Sequence, residues 1–365
     1  MKKLDMDFLK IADIIKNENK KIVVFGAGVI ASAVLPYYID KFDLENNLSF
    51  CVDNSLDKQG KSLFFYSRKI EIKSAAELTY LDGKNIIIII TSSFFSEIIK
   101  QLDRIESLKE ACYFVFPEIL IRLNSKSNYE IKPVYTSEKL IPSVIHYIWL
   151  GEKKMPENLS LCIDSWKKFC PEYEIICWNE KNYDFSKNKY MKQAYDMKKW
   201  AFVSDYARLD ILNEYGGIYM DTDVELLRSP DDMLYQKAFC SVEKWNVVNT
   251  GGCCGSIKGS LGIKAMLDFR NKFNFINEDG SLNSTASGYY ETVSMINEGY
   301  KPNGTFQKVL DMNIYPYDFF HPYDYMSGKT DLTNNTISIH HFNGGWVDKK
   351  IMNIRKGVEG ECLFN

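Results

Sequence analysis

Residues 215–225 read YGGIYMDTDVE, and this stretch decides how the second half of the chain is interpreted. The glycine pair at 216–217 predicts the end of a helix, since glycine accepts the left-handed conformation that a C-terminal cap needs. The apolar residues 218–220 then predict a short buried strand that runs directly into Asp221 and Asp223. Residues i and i+2 of an extended segment project from the same face. We therefore expect the two carboxylates to converge on one ligand.

Two carboxylates at this spacing are suited to a divalent cation. Hard oxygen donors favour Mg²⁺ or Mn²⁺, and such a metal can neutralise a departing diphosphate. The Asp-x-Asp spacing also arises by chance, and the chain contains a second example at Asp5 and Asp7, in a segment predicted to be helical. That spacing places the two side chains on different faces of a helix. The motif alone therefore leaves a metal site and a coincidence both open.

The segment upstream of the aspartates adds polar residues in a helical register. Within AFVSDYARLDIL (201–212), the side chains of Ser204, Asp205 and Arg208 share one helix face. Arginine can grip a phosphate through its planar fork, and an aspartate can accept a hydrogen bond from a sugar hydroxyl. A surface ion pair is the plainer alternative, and it contributes little to stability. The apolar neighbours predict a largely buried helix instead, where charged groups require a function.

Composition limits the class of protein. A chain of 365 residues with a formal net charge of -3 predicts two domains and argues against a nucleic-acid-binding protein. The longest uncharged apolar run, residues 86–95, is too short to cross a bilayer. The nine cysteines lack the spacing of zinc sites, which favours a cytoplasmic location. A peripheral membrane or assembly contact and an oligomer both stay open.

The chain has two different sequence patterns, one on each side of a polar segment. Between residues 21 and 116, β-rich runs alternate with helical patterns, which predicts parallel strands with crossover helices. We predict a Rossmann-like nucleotide-binding or docking domain at 1–125, a linker at 126–140 and a second α/β domain at 141–365. One long helix is expected over residues 188–215.

The first domain contains the dinucleotide fingerprint G-x-G-x-x-A. Gly26 and Gly28 lie between a predicted strand and a predicted helix, and Asp53 closes the next strand. The glycines would let the backbone approach a diphosphate, and the acid would bind ribose hydroxyls. This pattern predicts a second nucleotide site for NAD(P). The domain offers no convincing catalytic partner, so a purely structural or docking role stays open.

Three segments of the second domain together resemble the DXD-containing sugar transferases. They are IPSVIHYIWLG (141–151), AFVSDYARLDILNEYGGIYMDTDVE (201–225) and HHFNGGW (340–346). The resemblance is to the capsular-polysaccharide and mannosyltransferase-like enzymes of glycosyltransferase family 32, and more distantly to the glucosylating domains of large cytotoxins. It implies a GT-A type fold, a nucleotide-sugar donor, a divalent metal and retention of configuration at the anomeric carbon.

The resemblance also implies roles for individual residues. Trp149 matches the aromatic that stacks on the nucleotide base, and Asp205 and Arg208 match contacts to the donor sugar and phosphate. Asp221 matches the residue that contacts ribose or sugar and reaches the metal through water. Asp223 matches the direct metal ligand.

The closing segment and two strand ends supply further candidates. His341 occupies the place of a metal ligand or near-metal residue, and Trp346 that of an indole that meets the diphosphate. Gly345 replaces the usual serine of this motif. Asn179 and Asn249 follow predicted strands, where such folds bind ligands, and are expected to contact donor or acceptor, as is Ser204. His146 is interpreted as a buried strand histidine.

These observations favour a metal-dependent, retaining glycosyltransferase. It would transfer a sugar from a nucleoside-diphosphate sugar, UDP being favoured by analogy, to a glycan or lipid-linked acceptor in surface polysaccharide synthesis. One alternative is an NAD-dependent sugar oxidoreductase or epimerase centred on the first domain. Another is a non-catalytic carbohydrate-binding module.

Overall fold

The computed structural model describes residues 1–125, 135–151, 153–325 and 327–343. The chain divides into two compact units, Met1–Asn128 and Tyr129–Asn365. Most of the predicted linker, 126–140, lies outside the described residues, so its bounds stay a prediction.

The first unit is built around a parallel sheet. One of its interior strands consists of five isoleucines, all fully or nearly fully buried, as expected for a strand covered on both faces. The elements are β1 (Lys2–Lys3), α1 (Phe8–Asn17), β2 (Lys21–Phe25), α2 (Leu35–Lys41), β3 (Leu48–Val52), β4 (Ser62–Phe65), β5 (Arg68–Lys73), β6 (Ile86–Ile90), α3 (Phe95–Leu102), β7 (Cys112–Val115) and α4 (Phe116–Ser125).

The strand order in this sheet is β1-β7-β6-β2-β3-β5-β4. Every neighbouring pair runs parallel except β4 and β5, which form an antiparallel hairpin at one edge. The order reverses at β2, which lies between β6 and β3, and this is the doubly wound arrangement in which helices cross over between parallel strands. The predicted parallel sheet is therefore present, and the assignment of this unit as a Rossmann-like nucleotide-binding or docking domain stays a prediction.

The second unit combines a larger mixed sheet with helices. Its elements are β8 (Val144–Ile148), α5 (Glu157–Phe169), β9 (Glu174–Trp178), α6 (Lys189–Asp196), α7 (Trp200–Tyr215), β10 (Gly217–Tyr219), β11 (Val224–Leu226), β12 (Ala238–Val242), β13 (Val248–Asn249), β14 (Cys254–Ser256), α8 (Leu261–Arg270), α9 (Ser287–Asn297), β15 (Gln307–Val309), β16 (Met312–Tyr315), β17 (Tyr323–Asp324), β18 (Lys329–Thr330) and β19 (Ser338–His340).

The main sheet of this unit has the order β15-β16-β12-β14-β10-β8-β9, with β13 paired to β12. The three strands β10, β8 and β9 run parallel, whereas β14 is antiparallel to both of its neighbours. A parallel group extended by antiparallel strands is consistent with the predicted GT-A type domain. The α/β fold class is confirmed.

The sheet is covered on both faces because its side chains alternate. In β10 and the residue after it, Ile218 and Met220 pack into a cluster with Trp166 of α5. Tyr219 points the other way and packs into a second cluster that includes residues of α6, α7, α8 and α9. Because the side chains of β10 alternate between the two packed faces, the residues that follow β10 lie at the edge of a well-packed sheet.

The single helix expected over residues 188–215 is wrong, because the structure has two helices there. Asn188 caps α6 by accepting a hydrogen bond from the backbone N–H of Met191 at 3.1 Å. Lys198 has φ of 56°, a left-handed conformation that cannot continue a right-handed helix. The end of α7 follows the prediction, since Gly216 adopts φ of 72° directly after Tyr215.

Within the described residues, no helix has the length and apolar character needed to span a bilayer.

Candidate functional site

The candidate site lies where three parallel strands end. β8 ends before Trp149, β9 ends before Asn179, and β10 ends two residues before Asp221. The strand register pairs Tyr219 with His146 and aligns the last residues of β8 and β9. The carboxyl ends of these strands therefore meet at one edge of the sheet, the usual place for ligands in α/β proteins.

Asp221 and Asp223 converge through a turn and not through strand alternation. Thr222 and Asp223 form the turn, and the backbone N–H of Val224 donates to the carbonyl oxygen of Asp221 at 3.1 Å. The expectation of an extended Asp-x-Asp segment is therefore wrong. The carboxylates still meet, because the turn reverses the chain between β10 and β11. Together with His340 they offer three ligand atoms that lie within 4.8 Å of one another.

The histidine beside the aspartates is His340, whereas the family resemblance implies His341 as the metal ligand or near-metal residue. β19 pairs with β11 so that His340 lies opposite Val224. His340 Nε2 lies 3.3 Å from Asp223 Oδ1 and 4.0 Å from Asp221 Oδ2. His341 projects away from them, and its Nε2 lies 3.0 Å from Glu225 Oε2. His340 is the last residue of β19 and His341 follows it, and only the pairing of β19 with β11 reveals which of the two faces the aspartates.

The charges of this cluster depend on one another. Burial alone would raise the pKa of Asp223, but the charge of His340 and the Asn343 N–H at 2.8 Å hold that pKa at about 2. Burial alone would lower the pKa of His340, and the carboxylates of Asp223 and Asp221 raise it instead. Two carboxylates and one imidazole form a donor set that fits Mn²⁺, since carboxylates favour hard cations and imidazole favours first-row transition metals.

Arg208 connects α7 to the aspartate turn. Its side chain is buried and forms an ion pair with Asp205, and its Nη1 lies 3.5 Å from Asp221 Oδ2. Tyr219 lies beneath both residues: its ring centroid is 5.5 Å from the guanidinium carbon, and its hydroxyl donates to Asp221 Oδ1 at 2.9 Å. The burial of Arg208 excludes the alternative of a solvent-exposed ion pair. The polar face predicted for α7 is therefore directed at the aspartates.

A glycine loop lies against Asp221 and Arg208. Asn249 Oδ1 accepts hydrogen bonds from the N–H groups of Gly251 and Gly252, at 2.7 and 3.2 Å. The Gly251 carbonyl accepts from the Asp221 N–H at 2.8 Å. A Cβ on Gly251 would collide with Asp221 Oδ2 and lie 2.6 Å from Arg208 Nη1. Asn249 therefore shapes the loop that approaches the aspartates, and its role as a ligand contact stays a prediction.

The remaining predicted contacts form local hydrogen bonds. Trp149 is half-buried and its Nε1 donates to the Lys153 carbonyl at 3.0 Å. Asn179 Oδ1 accepts from the Lys181 N–H at 2.9 Å, and Ser204 Oγ donates within α7 at 2.8 Å. Their roles in ligand binding stay predictions. Trp346 lies outside the described residues.

In the first unit, the dinucleotide fingerprint forms a hydrogen bond with another residue of the chain. Gly26 has φ of 104°, as expected for a tight loop after β2. The backbone N–H of Ala27 donates to Asp53 Oδ2 at 2.7 Å, and Lys58 Nζ lies 3.0 Å from the same oxygen. A Cβ on Gly28 would meet nothing within 4 Å. A nucleotide phosphate that used the Ala27 N–H would have to displace Asp53, and NAD(P) binding stays a prediction.

Glu291 is a buried acid that the sequence did not single out. It lies on α9 and accepts hydrogen bonds from the Thr250 N–H at 3.0 Å and the Thr250 hydroxyl at 2.8 Å. Burial raises its pKa to about 7, although the charge of Arg208 and the Thr250 bonds partly oppose the rise. The sequence contains no signal for this role, because a glutamate in a helix is ordinarily exposed.

We expect Glu291 to make stability fall as pH rises from about 4.5 to about 7. The folded state retains its proton through this range while the unfolded state releases it, so rising pH favours unfolding. The accumulated loss is about 3 kcal/mol and is constant above pH 7. Thermal unfolding followed by circular dichroism should show this decline in the wild type and its absence in Glu291→Gln. Parallel pH profiles for the two proteins would contradict the assignment.

Comparison with known proteins finds glycosyltransferases that are similar to part of the second unit. Residues 156–240 match the model of the glycosyltransferase sugar-binding region containing the DXD motif. The chain is 28% identical over 197 residues to an uncharacterised glycosyltransferase of Acanthamoeba polyphaga mimivirus, covering 52% of this chain and 76% of the viral protein. It is 30% identical over 110 residues to inositol phosphoceramide mannosyltransferase 1 of Schizosaccharomyces pombe.

That yeast match covers 27% of this chain and 33% of the relative, so the similarity to the yeast enzyme is confined to a third of its length. A solved structure titled PaToxG Glycosyltransferase matches 50% of this chain and 76% of its own at 22% sequence identity, with a TM-score of 0.37. The matched region contains α7 and the aspartate turn. Residues 156–240 thus match the sugar-binding region of DXD-containing glycosyltransferases, and this similarity supports a glycosyltransferase.

Proposed function

We propose that the protein is a metal-dependent, retaining glycosyltransferase that uses a nucleoside-diphosphate sugar as donor. The observation that supports this most directly is the Asp221, Asp223 and His340 cluster, whose ligand atoms lie within 4.8 Å of one another beside the buried Arg208. UDP is the favoured nucleotide by analogy with the resembling families. The proposed acceptor is a glycan or lipid-linked sugar in surface polysaccharide synthesis, and the proposed location is the cytoplasm.

Some residues of the site would bind the diphosphate leaving group, and others would bind the sugar or the base. Asp221, Asp223 and His340 would hold Mn²⁺ or Mg²⁺, which when bound would neutralise the charge of the departing diphosphate. Arg208 would donate hydrogen bonds to a phosphate oxygen, since its guanidinium is planar and permanently charged. Asp205 would accept a hydrogen bond from a donor-sugar hydroxyl, and Trp149 would stack on the base.

Retention is proposed through attack from the face of the departing phosphate. The acceptor hydroxyl would then arrive beside the diphosphate and transfer its proton to a phosphate oxygen. This route needs no carboxylate on the opposite face of the sugar. An inverted anomeric product observed by NMR would contradict it.

The two alternatives have less support. An NAD-dependent oxidoreductase would use the first unit, where Asp53 already binds the Ala27 N–H. A buried arginine between two carboxylates costs free energy, and a non-catalytic carbohydrate-binding module would not need this arrangement.

The test is hydrolysis of nucleotide sugars in the absence of acceptor. We expect the purified protein to release nucleoside diphosphate from UDP-glucose or GDP-mannose, with release stimulated at least about tenfold by Mn²⁺ over a chelated control. A luminescent assay of UDP and GDP measures this directly. Absence of release and of Mn²⁺-dependent thermal stabilisation by a panel of nucleotide sugars would contradict the proposal. An absorbance change with NAD and a sugar nucleotide would favour the oxidoreductase instead.

A further inference from the structure

Arg270 is a buried cation outside the aspartate cluster. It is the last residue of α8, and its side chain is 2% exposed. Among the described residues, its Nε and Nη2 atoms have no hydrogen-bond partner. Unsatisfied buried donors on a charged group are costly, so the placement of Arg270 requires an explanation.

Two aromatic rings hold the guanidinium in place. The Arg270 guanidinium carbon lies 3.9 Å from the ring centroid of Tyr290 in α9 and 4.3 Å from that of Tyr190 in α6. Both tyrosines are buried. Cation–π contacts are strongest when they are desolvated, and two rings restrict the orientation of a planar group more than one ring does. Arg270 is therefore fixed at a junction of helices.

The guanidinium faces the carboxylate of Asp205 in α7. Arg270 Nη2 lies 3.9 Å from Asp205 Oδ2, while the other oxygen, Oδ1, is bonded to Arg208. At 3.9 Å the two groups attract each other electrostatically but do not form a hydrogen bond. Each carboxylate oxygen of Asp205 thus faces a different guanidinium, and of the two arginines only Arg208 forms a hydrogen bond with Asp205.

Asp205 needs this support because it is nearly buried. Its side chain is 12% exposed, and burial raises the pKa of its carboxyl, whereas Arg208 and Arg270 both oppose that rise. Arg208 also lies 3.5 Å from Asp221, so its charge is shared between two carboxylates. Arg270 lies beside no second acid in the structure as described, and its charge is directed at Asp205.

We propose that Arg270 is a positioning residue that acts through Asp205, holding this carboxylate ionised and oriented so that it can accept a hydrogen bond from a hydroxyl of the donor sugar. Arg270 itself does not touch the substrate. This inference rests on the proposed function, since it specifies how the sugar half of the donor is recognised. It implies that Arg270 affects turnover of the nucleotide sugar but not binding of the free nucleoside diphosphate.

The test is a double-mutant cycle on donor hydrolysis. Wild type, Arg270→Met, Asp205→Asn and the double variant are compared for kcat and KM with UDP-glucose or GDP-mannose, whichever the wild type hydrolyses. Calorimetry with Mn²⁺ measures affinity for UDP or GDP. We expect Arg270→Met to lower kcat by about 100-fold and to leave nucleotide affinity within about twofold. In the Asp205→Asn background, the same change should add no further loss.

Two variants separate this role from a structural one. Arg270→Lys retains the charge but not the planar stack, and is expected to recover part of kcat. It also replaces Arg270→Met in the cycle if that variant unfolds. Lys272→Met removes an exposed cation from the same segment and is expected to leave kcat unchanged.

Two results would overturn the inference about Arg270 and leave the proposed function standing. One is a loss of kcat in the double variant that equals the product of the two single losses. The other is a folded Arg270→Met protein with wild-type kcat. A wild type that turns over no nucleotide sugar would overturn the proposed function as well.

Discussion

Asp223→Asn is expected to lower Mn²⁺-dependent hydrolysis of the nucleotide sugar by about 1000-fold. Asparagine preserves the size of the side chain but removes the charge that a divalent cation requires. The loss should appear in kcat and in the affinity for Mn²⁺ measured by electron paramagnetic resonance of the free ion. Because the amide oxygen of asparagine can still accept the hydrogen bond from the Asn343 N–H, the variant should still fold.

Glu225→Gln is the matched control for that experiment. Glu225 lies two residues further along, in β11, and its side chain is 42% exposed. Removing its charge is expected to change Mn²⁺ affinity by less than about threefold, since exposed charges are screened by solvent. Equal losses in the two variants would show that net charge near the turn, and not coordination by Asp223, is responsible.

Substitutions of the two adjacent histidines provide a further test of the same site. His340→Ala is expected to lose Mn²⁺ affinity together with Asp223→Asn, whereas His341→Ala breaks the contact to Glu225 and is expected to have the smaller effect. A larger loss for His341→Ala would restore the assignment made from the sequence motif.

Gly251→Ala is expected to reduce donor hydrolysis by about 100-fold, although the position carries no functional group. The added Cβ would collide with Asp221 Oδ2 and approach Arg208 Nη1 to 2.6 Å, so the loop, the aspartate or the arginine must move. Overpacking of this kind also costs about 1–3 kcal/mol of stability. Donor kinetics and thermal unfolding measured on the same preparation report the two effects separately.

Gly259→Ala provides the comparison for stability. Gly259 is exposed and has φ of 71°, and a Cβ there would meet nothing within 4 Å. Its replacement should cost about 1 kcal/mol for the backbone conformation alone and leave kcat unchanged. If Gly251→Ala had the same kinetics as Gly259→Ala, the close approach of the loop to Asp221 would have no role in the site.

Local sequence patterns predicted the elements whose signals lie within a few residues. The five isoleucines of β6, the strand after Gly217 and the helix end at Gly216 all depend on side-chain burial or on glycine φ, which neighbouring residues reveal. The break between α6 and α7 was missed because the residues around Lys198 are good helix formers. Its left-handed backbone closes the end of α6, where the Lys198 N–H donates to the Tyr195 carbonyl at 2.8 Å and the Lys199 N–H donates to the Ala194 carbonyl at 2.9 Å.

The amino-acid sequence by itself determined the α/β class, the polar face of α7 with Asp205 and Arg208, and the pair of aspartates that follows β10. These features are local, since periodicity and spacing along one segment are enough to define them. Only the tertiary structure decided that His340 faces the aspartates, that Gly251 approaches Asp221, and that Arg270 and Glu291 are buried nearby. Each of these depends on pairing or packing between segments far apart in the chain, and strand register and helix packing are set by the whole core.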